Sequence, residues 1–180
     1  MMNKISVNQE EFNFRENDFP ILIHGKEGSG ASLYTMTMAV NLFSQDFSLV
    51  FLCGYHMAEE EFIKQLDGYL YKEKAIFYTK EKTSEFKEFV INPNNANRII
   101  FIKNIELFKE DILELVFSKN NIVLSGDVDK SDCRQNILNK KFCTKIFFSS
   151  LGNMTVKLLQ KYEGFLTSNN LQGITKVKFH

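Results

Sequence analysis

The chain has 180 residues with 22 basic and 22 acidic side chains. That length can bury roughly 70% of the unfolded surface in one core, and the balanced charge provides no overall field for nucleic acid or an acidic membrane. Three cysteines, Cys53, Cys133 and Cys143, lack close paired spacing, which argues against a disulfide framework or zinc site and for buried thiols in a reducing compartment. No run approaches the roughly 18 apolar residues of a membrane span, and the N-terminus has no signal pattern, so a soluble, cytoplasmic piece is expected. With 18 Phe, no Trp and two Pro, the core should be rich in phenylalanine.

In chain order, residues 1–19 read as a polar lead-in with a short edge strand at Ile5-Ser6-Val7 and a turn at Asn17-Asp18-Phe19-Pro20. The apolar strand Ile21 to His24 breaks into Gly25-Lys26-Glu27-Gly28-Ser29-Gly30-Ala31-Ser32. From Gly30 to about Phe43, apolar Leu33, Met36, Met38, Val40 and Phe43 suit a helix packed on a sheet. Ser48 to Cys53 is a short continuous apolar run, as in a strand buried on both faces. Met57 to Leu70 has helical spacing, with Glu59, Glu60 and Glu61 in the first turn, where the helix dipole favours acids. A strand at Ala75 to Tyr78, a helix at Ser84 to Val90 and a turn-rich loop at residues 92–97 precede Arg98 to Ile102, the most apolar strand candidate. Ile105 to Phe117 reads as one helix, Asn121 to Ser125 as a buried strand, Ser131 to Leu138 as a short helix and Lys145 to Ser149 as a further strand. The tail, Gly164 to Thr167 and Ile174 to Phe179, has the pattern of a β-hairpin. Alternating strands and helices at this spacing imply an α/β fold with a mostly parallel sheet covered on both faces, and residues 1–180 form one domain in this reading.

The glycine-rich stretch has the outline of a phosphate-binding loop. Such a loop runs Gly, four free residues, Gly, Lys, Ser or Thr, with backbone N–H groups and the lysine on phosphates and the hydroxyl on magnesium. Gly25, Gly30 and Ser32 match it, and Ala31 stands at the lysine position. Ligands of α/β sheets lie outside the carboxyl ends of the strands, where Gly25 to Ser32, Lys103 to Glu106 and Ser125 to Asp127 should converge. Hydrolysis there needs a cation on the terminal phosphates, an acid for magnesium and a group that positions water. The two positions after the strand at residues 99–102 hold Lys103 and Asn104 in place of acids. An ammonium cannot ligate magnesium and an amide is a poor base. Lys26 or Lys103 could supply charge to a phosphate, the alternative being solvated lysines. Glu106 or Asp127 could hold a metal through water, the alternative being a helix start and a turn cap. No cofactor is established by these residues; ATP is the candidate, and magnesium would have the Ser32 hydroxyl but no strand-end acid. His24 reads as a strand residue, and no nucleophile–base constellation is present. Lys140, Lys141 and Lys145 near Phe142 could touch a nucleic-acid backbone, but three charges are more simply a solvated face.

The loop at residues 25–32 (Gly25, Gly28, Ser29, Gly30 and Ser32), the strand region Arg98 to Glu106, the strand Asn121 to Gly126 and the tail from Gly164-Phe165-Leu166 to Lys176-Val177-Lys178-Phe179 together resemble a RecA-like P-loop ATPase domain of the FtsK/SpoIIIE group. The resemblance is nearest to the C-terminal ATPase domain of the membrane ATPase of type VII secretion systems (the EssC/EccC kind). It implies a three-layer sandwich ending in a hairpin, and a place as the last, cytosolic domain of a membrane-anchored hexameric motor. The implied partners are sister ATPase domains and secreted proteins, and the implied role is substrate recognition or regulation. Ala31, Lys103 and Asn104 depart from the pattern and count against efficient hydrolysis. The alternative is a divergent ATPase of a DNA-translocating or packaging motor of the FtsK/HerA kind, using Lys26 with Asp127 or Glu106.

Overall fold

The computed structural model describes residues 5–7, 10–11, 15–56, 58–65, 74–149, 163–168 and 174–179. Its strands are β1 (Ile5–Val7), β2 (Glu10–Glu11), β3 (Ile21–His24), β4 (Leu49–Cys53), β5 (Ala75–Thr79), β6 (Ile99–Lys103), β7 (Ile122–Gly126), β8 (Thr144–Phe147), β9 (Glu163–Ser168) and β10 (Ile174–Phe179). They join in one sheet in the order β2-β1-β10-β9-β8-β3-β7-β6-β4-β5. The six strands from β8 to β5 are mutually parallel. From β8 outward the sheet turns antiparallel through β9, β10, β1 and β2.

The parallel block forms because its strands are apolar at successive positions, and a strand that buries both faces needs helices above and below. Alternate residues point to opposite sides. Ile21, Ile23, Phe51, Phe101, Val123 and Ile146 share one core cluster with residues of α1 (Ala31–Ser44) and α2 (Ala58–Gln65). Leu22, Val50, Leu52, Ile100, Ile102 and Leu124 share the other with residues of α3 (Thr83–Ile91), α4 (Glu110–Phe117) and α5 (Arg134–Asn139). The result is a three-layer α/β/α sandwich with a mostly parallel sheet and the tail hairpin β9–β10. Phenylalanines fill the α1–α2 side as expected: the Phe51 ring stacks on Phe77 at 4.3 Å and on Phe101 at 4.8 Å, with Phe62 tilted against it at 5.6 Å.

Four expectations are corrected. The helix expected over 105–117 is two pieces: a 3-10 turn at Ile105–Leu107 and then α4. Extended backbone at Phe108 (φ −112°, ψ 147°) and Lys109 (φ −85°, ψ 167°) separates them. Phe108, just before the N-cap, and Leu113, the fourth residue of α4, share one buried cluster, the arrangement of a hydrophobic staple, and Glu110 and Asp111 mark the true first turn. The segment at residues 5–7 is flanked on both sides, so β2 forms the edge in its place. The helix expected from Ser131 begins at Arg134 because the Ser131 hydroxyl accepts the Cys133 N–H at 3.2 Å in a preceding turn. The strand expected over 145–149 is Thr144–Phe147, because Ser149 is drawn to the glycine loop, where its hydroxyl accepts the Lys26 N–H at 2.7 Å. Residues 57 and 66–70 of the helix expected over 57–70 lie outside the described residues.

Phe51 sits at the centre of the aromatic stack, so Phe51→Ala should lower unfolding free energy by about 3–5 kcal/mol. Urea denaturation would show this as a lower midpoint at an unchanged slope.

Candidate functional site

The glycine loop leaves the sheet from a strand paired along its length on both sides. β3 lies between β7 and β8, and beyond its last residue the Gly25 N–H still donates to the Gly126 carbonyl at 3.1 Å. The Ser29 N–H donates to the Lys26 carbonyl at 3.1 Å. Gly28 (φ 77°) and Gly30 (φ 97°) take left-handed backbone, and Gly30 caps the start of α1. A Cβ at position 25 would lie 2.4 Å from both the Ala31 Cβ and the Ser29 Oγ, so the alanine methyl packs into the space over Gly25. Ala31 is buried, whereas Lys26 and Ser32 are exposed. One turn into α1, the Thr35 hydroxyl bonds the Ala31 carbonyl at 2.8 Å and the Ser125 hydroxyl at 2.7 Å, tying the helix to β7.

β6 ends on the same face. Ile99 and Phe101 belong to the core on the α1–α2 side, so alternation puts Lys103 there too, and its register partners are Cys53 on β4 and Ser125 on β7. Lys103 is 3% exposed. Its Nζ lies 3.8 Å from a carboxylate oxygen of Glu61 on α2, an acid that reads in the sequence as a helix-dipole residue. Burial pushes the neighbouring Cys53 thiol up to about 12, with the Lys103 charge acting the other way. Asn104 is in left-handed backbone (φ 63°, ψ 54°), a conformation that Asn tolerates better than most residues. Its side chain stands against Gly54, where an added Cβ would come within 2.9 Å of the Asn104 Cβ.

The remaining candidates face the other way. His24 follows Leu22 in alternation toward the α4–α5 side, and its Nδ1 accepts the Val128 N–H at 3.1 Å. The Glu106 carboxylate accepts the Asp127 N–H at 3.0 Å. Asp127 Oδ1 caps a 3-10 turn by accepting the Asp129 N–H at 3.2 Å, and Asp129 in turn accepts from Arg134 Nε at 3.0 Å. Ligand atoms of His24, Asp127 and Asp129 lie within 4.8 Å of one another, and Asp127 Oδ2 is buried with no hydrogen-bond partner among the described residues. The set is nonetheless a poor metal site, because the His24 Nδ1 lone pair is spent on a backbone amide. On the α1 face an ammonium stands at the strand end and a methyl at the loop lysine position, and neither is a magnesium ligand. Of the basic group near Phe142, Lys140 donates to the Phe117 carbonyl at 2.6 Å, and Phe142 itself is core. The expectation of solvated lysines holds for exposed Lys26 and is corrected for Lys103, which is buried because β6 extends one residue further than expected; nothing local in the sequence pairs it with Glu61 or brings Ser149 to the loop.

No protein-family model matches the chain, and no curated protein matches it in sequence. Solved structures do. The genome packaging NTPase B204 of Sulfolobus turreted icosahedral virus 2, in complex with AMPPCP, is similar over 92% of this chain and 98% of its own, at TM-score 0.61 and 12% identity. EssC (ATPases 2 and 3) from Geobacillus thermodenitrificans is similar over 99% of this chain and 43% of its own, at TM-score 0.62 and 13% identity. The chain shares the fold of these NTPase and ATPase domains. The pCW3 conjugation coupling protein TcpA is similar over 98% of the present chain and 66% of its own, at TM-score 0.53 and 11% identity. No helix among the described residues is long and apolar enough to cross a membrane.

Two measurements check this geometry. Gly25→Ala forces its methyl against Ala31 and Ser29 and should cost about 2–3 kcal/mol. Gly28→Ala meets no atom within 4 Å and should cost only the left-handed backbone penalty of about 1 kcal/mol. Chemical denaturation of both variants resolves the difference. Separately, iodoacetamide at pH 8 should modify half-buried Cys143 in the native protein and leave Cys53 untouched until denaturant is added, because the reactive thiolate is scarce when burial holds the thiol near 12. Peptide mass spectrometry identifies the modified residue.

Proposed function

We propose that residues 1–180 are a single P-loop ATPase-fold domain of a protein-secretion motor, acting in substrate recognition or regulation and not in efficient ATP hydrolysis. The observation that carries this reading is the buried Lys103 at the carboxyl end of β6, facing α1 where hydrolysis needs a magnesium-holding acid. Ala31 in the loop and Asn104 in a left-handed turn support it. Gly25, Lys26, Gly28, Ser29, Gly30, Ala31 and Ser32 are then a vestigial nucleotide loop, and Lys103, Asn104, Glu106 and Asp127 hold positions that are catalytic in working relatives. The likeness to EssC over nearly the whole chain favours secretion, with sister ATPase domains and secreted proteins as partners, a cytosolic position, and membrane attachment through other parts of a longer protein.

A second reading, a divergent ATPase of a DNA-packaging motor, is favoured by the likeness to B204, which is matched over 98% of its length. In that case DNA binding should weaken steeply with salt.

The test is phosphate release with ATP and magnesium from the wild type and from Ala31→Lys. Both should remain at background, because the restored lysine brings a second ammonium to the face that already holds Lys103 and still lacks an acid. Magnesium-dependent turnover by the wild type would sink the non-hydrolytic reading. Titration with candidate secreted proteins and with duplex DNA then separates the two motors.

A further inference from the structure

We propose that the cleft at the amino ends of β3, β7, β6 and β4 is a peptide-binding site, which takes an extended segment with one apolar side chain and a neighbouring acidic residue.

The cleft holds about 460 Å³, within the roughly 300–1,000 Å³ of small-ligand sites. It opens at the end of the sheet opposite the glycine loop and shares no residue with that loop. Its floor is the outer side of the α1–α2 core: Phe19 two residues before β3, Phe47 two residues before β4, and Ile99 at the first position of β6. The four strands are consecutive in the sheet, so their starts form a continuous rim. Hydrogen bonds that need no ligand hold this rim in place. The Asn121 side-chain amide donates to the Ala96 carbonyl at 3.1 Å and to the Arg98 carbonyl, fixing the loop before β6 against the start of β7. The Ile99 N–H donates to the Ser48 carbonyl at 2.9 Å, and the Ile100 N–H to the Asn121 carbonyl at 2.9 Å. A cleft fixed before binding loses little conformational freedom when it is filled.

The polar groups left over select the ligand. Asn97 and Asn120 line the cleft, and their side-chain amides are exposed, with no hydrogen-bond partner among the described residues. Each amide sets an acceptor beside its donors, which is the complement of a peptide group with its N–H and C=O. Bonds of this kind to the main chain hold an extended peptide, while a pocket chooses its side chain. Phe19 is 8% exposed and Phe47 half-buried, which makes an apolar floor and not the open ring face on which bases stack. Lys119 also lines the cleft, half-buried and without an acid in ion-pair range among the described residues. An acidic residue beside the apolar side chain of the ligand supplies that partner. Glu16, from the 3-10 turn before β3, leaves the cleft without net charge, so the phosphates of a nucleic acid would meet a carboxylate as well as an ammonium.

The experiment is a heteronuclear NMR titration of the full chain with acetylated, amidated tetrapeptides that carry Leu next to Glu in either order. Peptides with Gln or Lys in place of Glu are the charge controls, and adenosine monophosphate and glucose are the controls for ligand class. The Glu peptides should shift the resonances of Asn97, Asn120 and Asn121, with Gln weaker and Lys weakest. Lys119→Glu should invert that order and weaken the Glu peptides about fivefold, the scale of reversing one exposed ion pair. Ser118→Trp, which places an indole at the exposed lip of the cleft, should abolish the shifts with the rest of the spectrum unchanged; should its spectrum change throughout, the Lys119→Glu comparison decides alone. Absence of shifts at the three asparagines with every peptide overturns the proposal. So does an equal response to Glu and Lys peptides, or an order that Lys119→Glu leaves unchanged. Shifts with the nucleotide or the sugar in place of the peptides overturn it in favour of that class.

Discussion

The structure depends on the confinement of β3. Its four residues are at most 2% exposed among the apolar ones, and His24 is fully buried. The strand is in register with β7 on one side and β8 on the other. The chain continues in that frame after the strand ends, because Gly25 donates to Gly126, the Lys26 N–H reaches the Ser149 hydroxyl, and the Phe148 N–H returns to the His24 carbonyl at 2.8 Å. The loop is thereby held to the ends of both neighbouring strands before any ligand is considered. Gly25, Gly28 and Gly30 answer to this geometry. They keep the strand-to-helix bend whether or not a nucleotide is ever bound, which separates the survival of the fold from the survival of the chemistry.

What the sequence displays clearly is burial on both faces. The runs at 21–24, 49–53, 99–102 and 122–125 are legible as interior parallel strands because no polar alternation interrupts them, and the strand-end glycines mark where the site lies. The break at Phe108 was hidden by a coincidence of spacing. Ile105, Phe108, Ile112 and Val116 are all in one core cluster, and their separations are those of a continuous helix, although the backbone between the first two pairs is extended. Only the left-handed Asn104 and the packing of Phe108 distinguish the two arrangements, and both are set by tertiary contacts. In the same way Glu106 and Asp127 are close in sequence to the strand ends, but distance along the chain does not say on which face a side chain lands. The face follows from alternation through Ser125 to Gly126, where Glu106 Oε2 would stand 2.3 Å from an added Cβ.

The three departures from a working phosphate loop are physically linked. With alanine at the loop lysine position, the space over Gly25 is closed by the Ala31 methyl, and the cation left in the loop is exposed Lys26. With Lys103 in place of an acid, the cation of the site is fixed to the sheet, held by burial and by Glu61. Asn104 serves the left-handed turn against Gly54. Each residue thus has a structural role of its own in this fold. The penalties of reverting any one of them interact: a lysine at 31 would face Lys103, and an acid at 103 would leave Glu61 opposite a like charge in a region of low exposure. The cation at this end of the sheet is thus a strand residue fixed by burial and by Glu61, not a side chain of the loop.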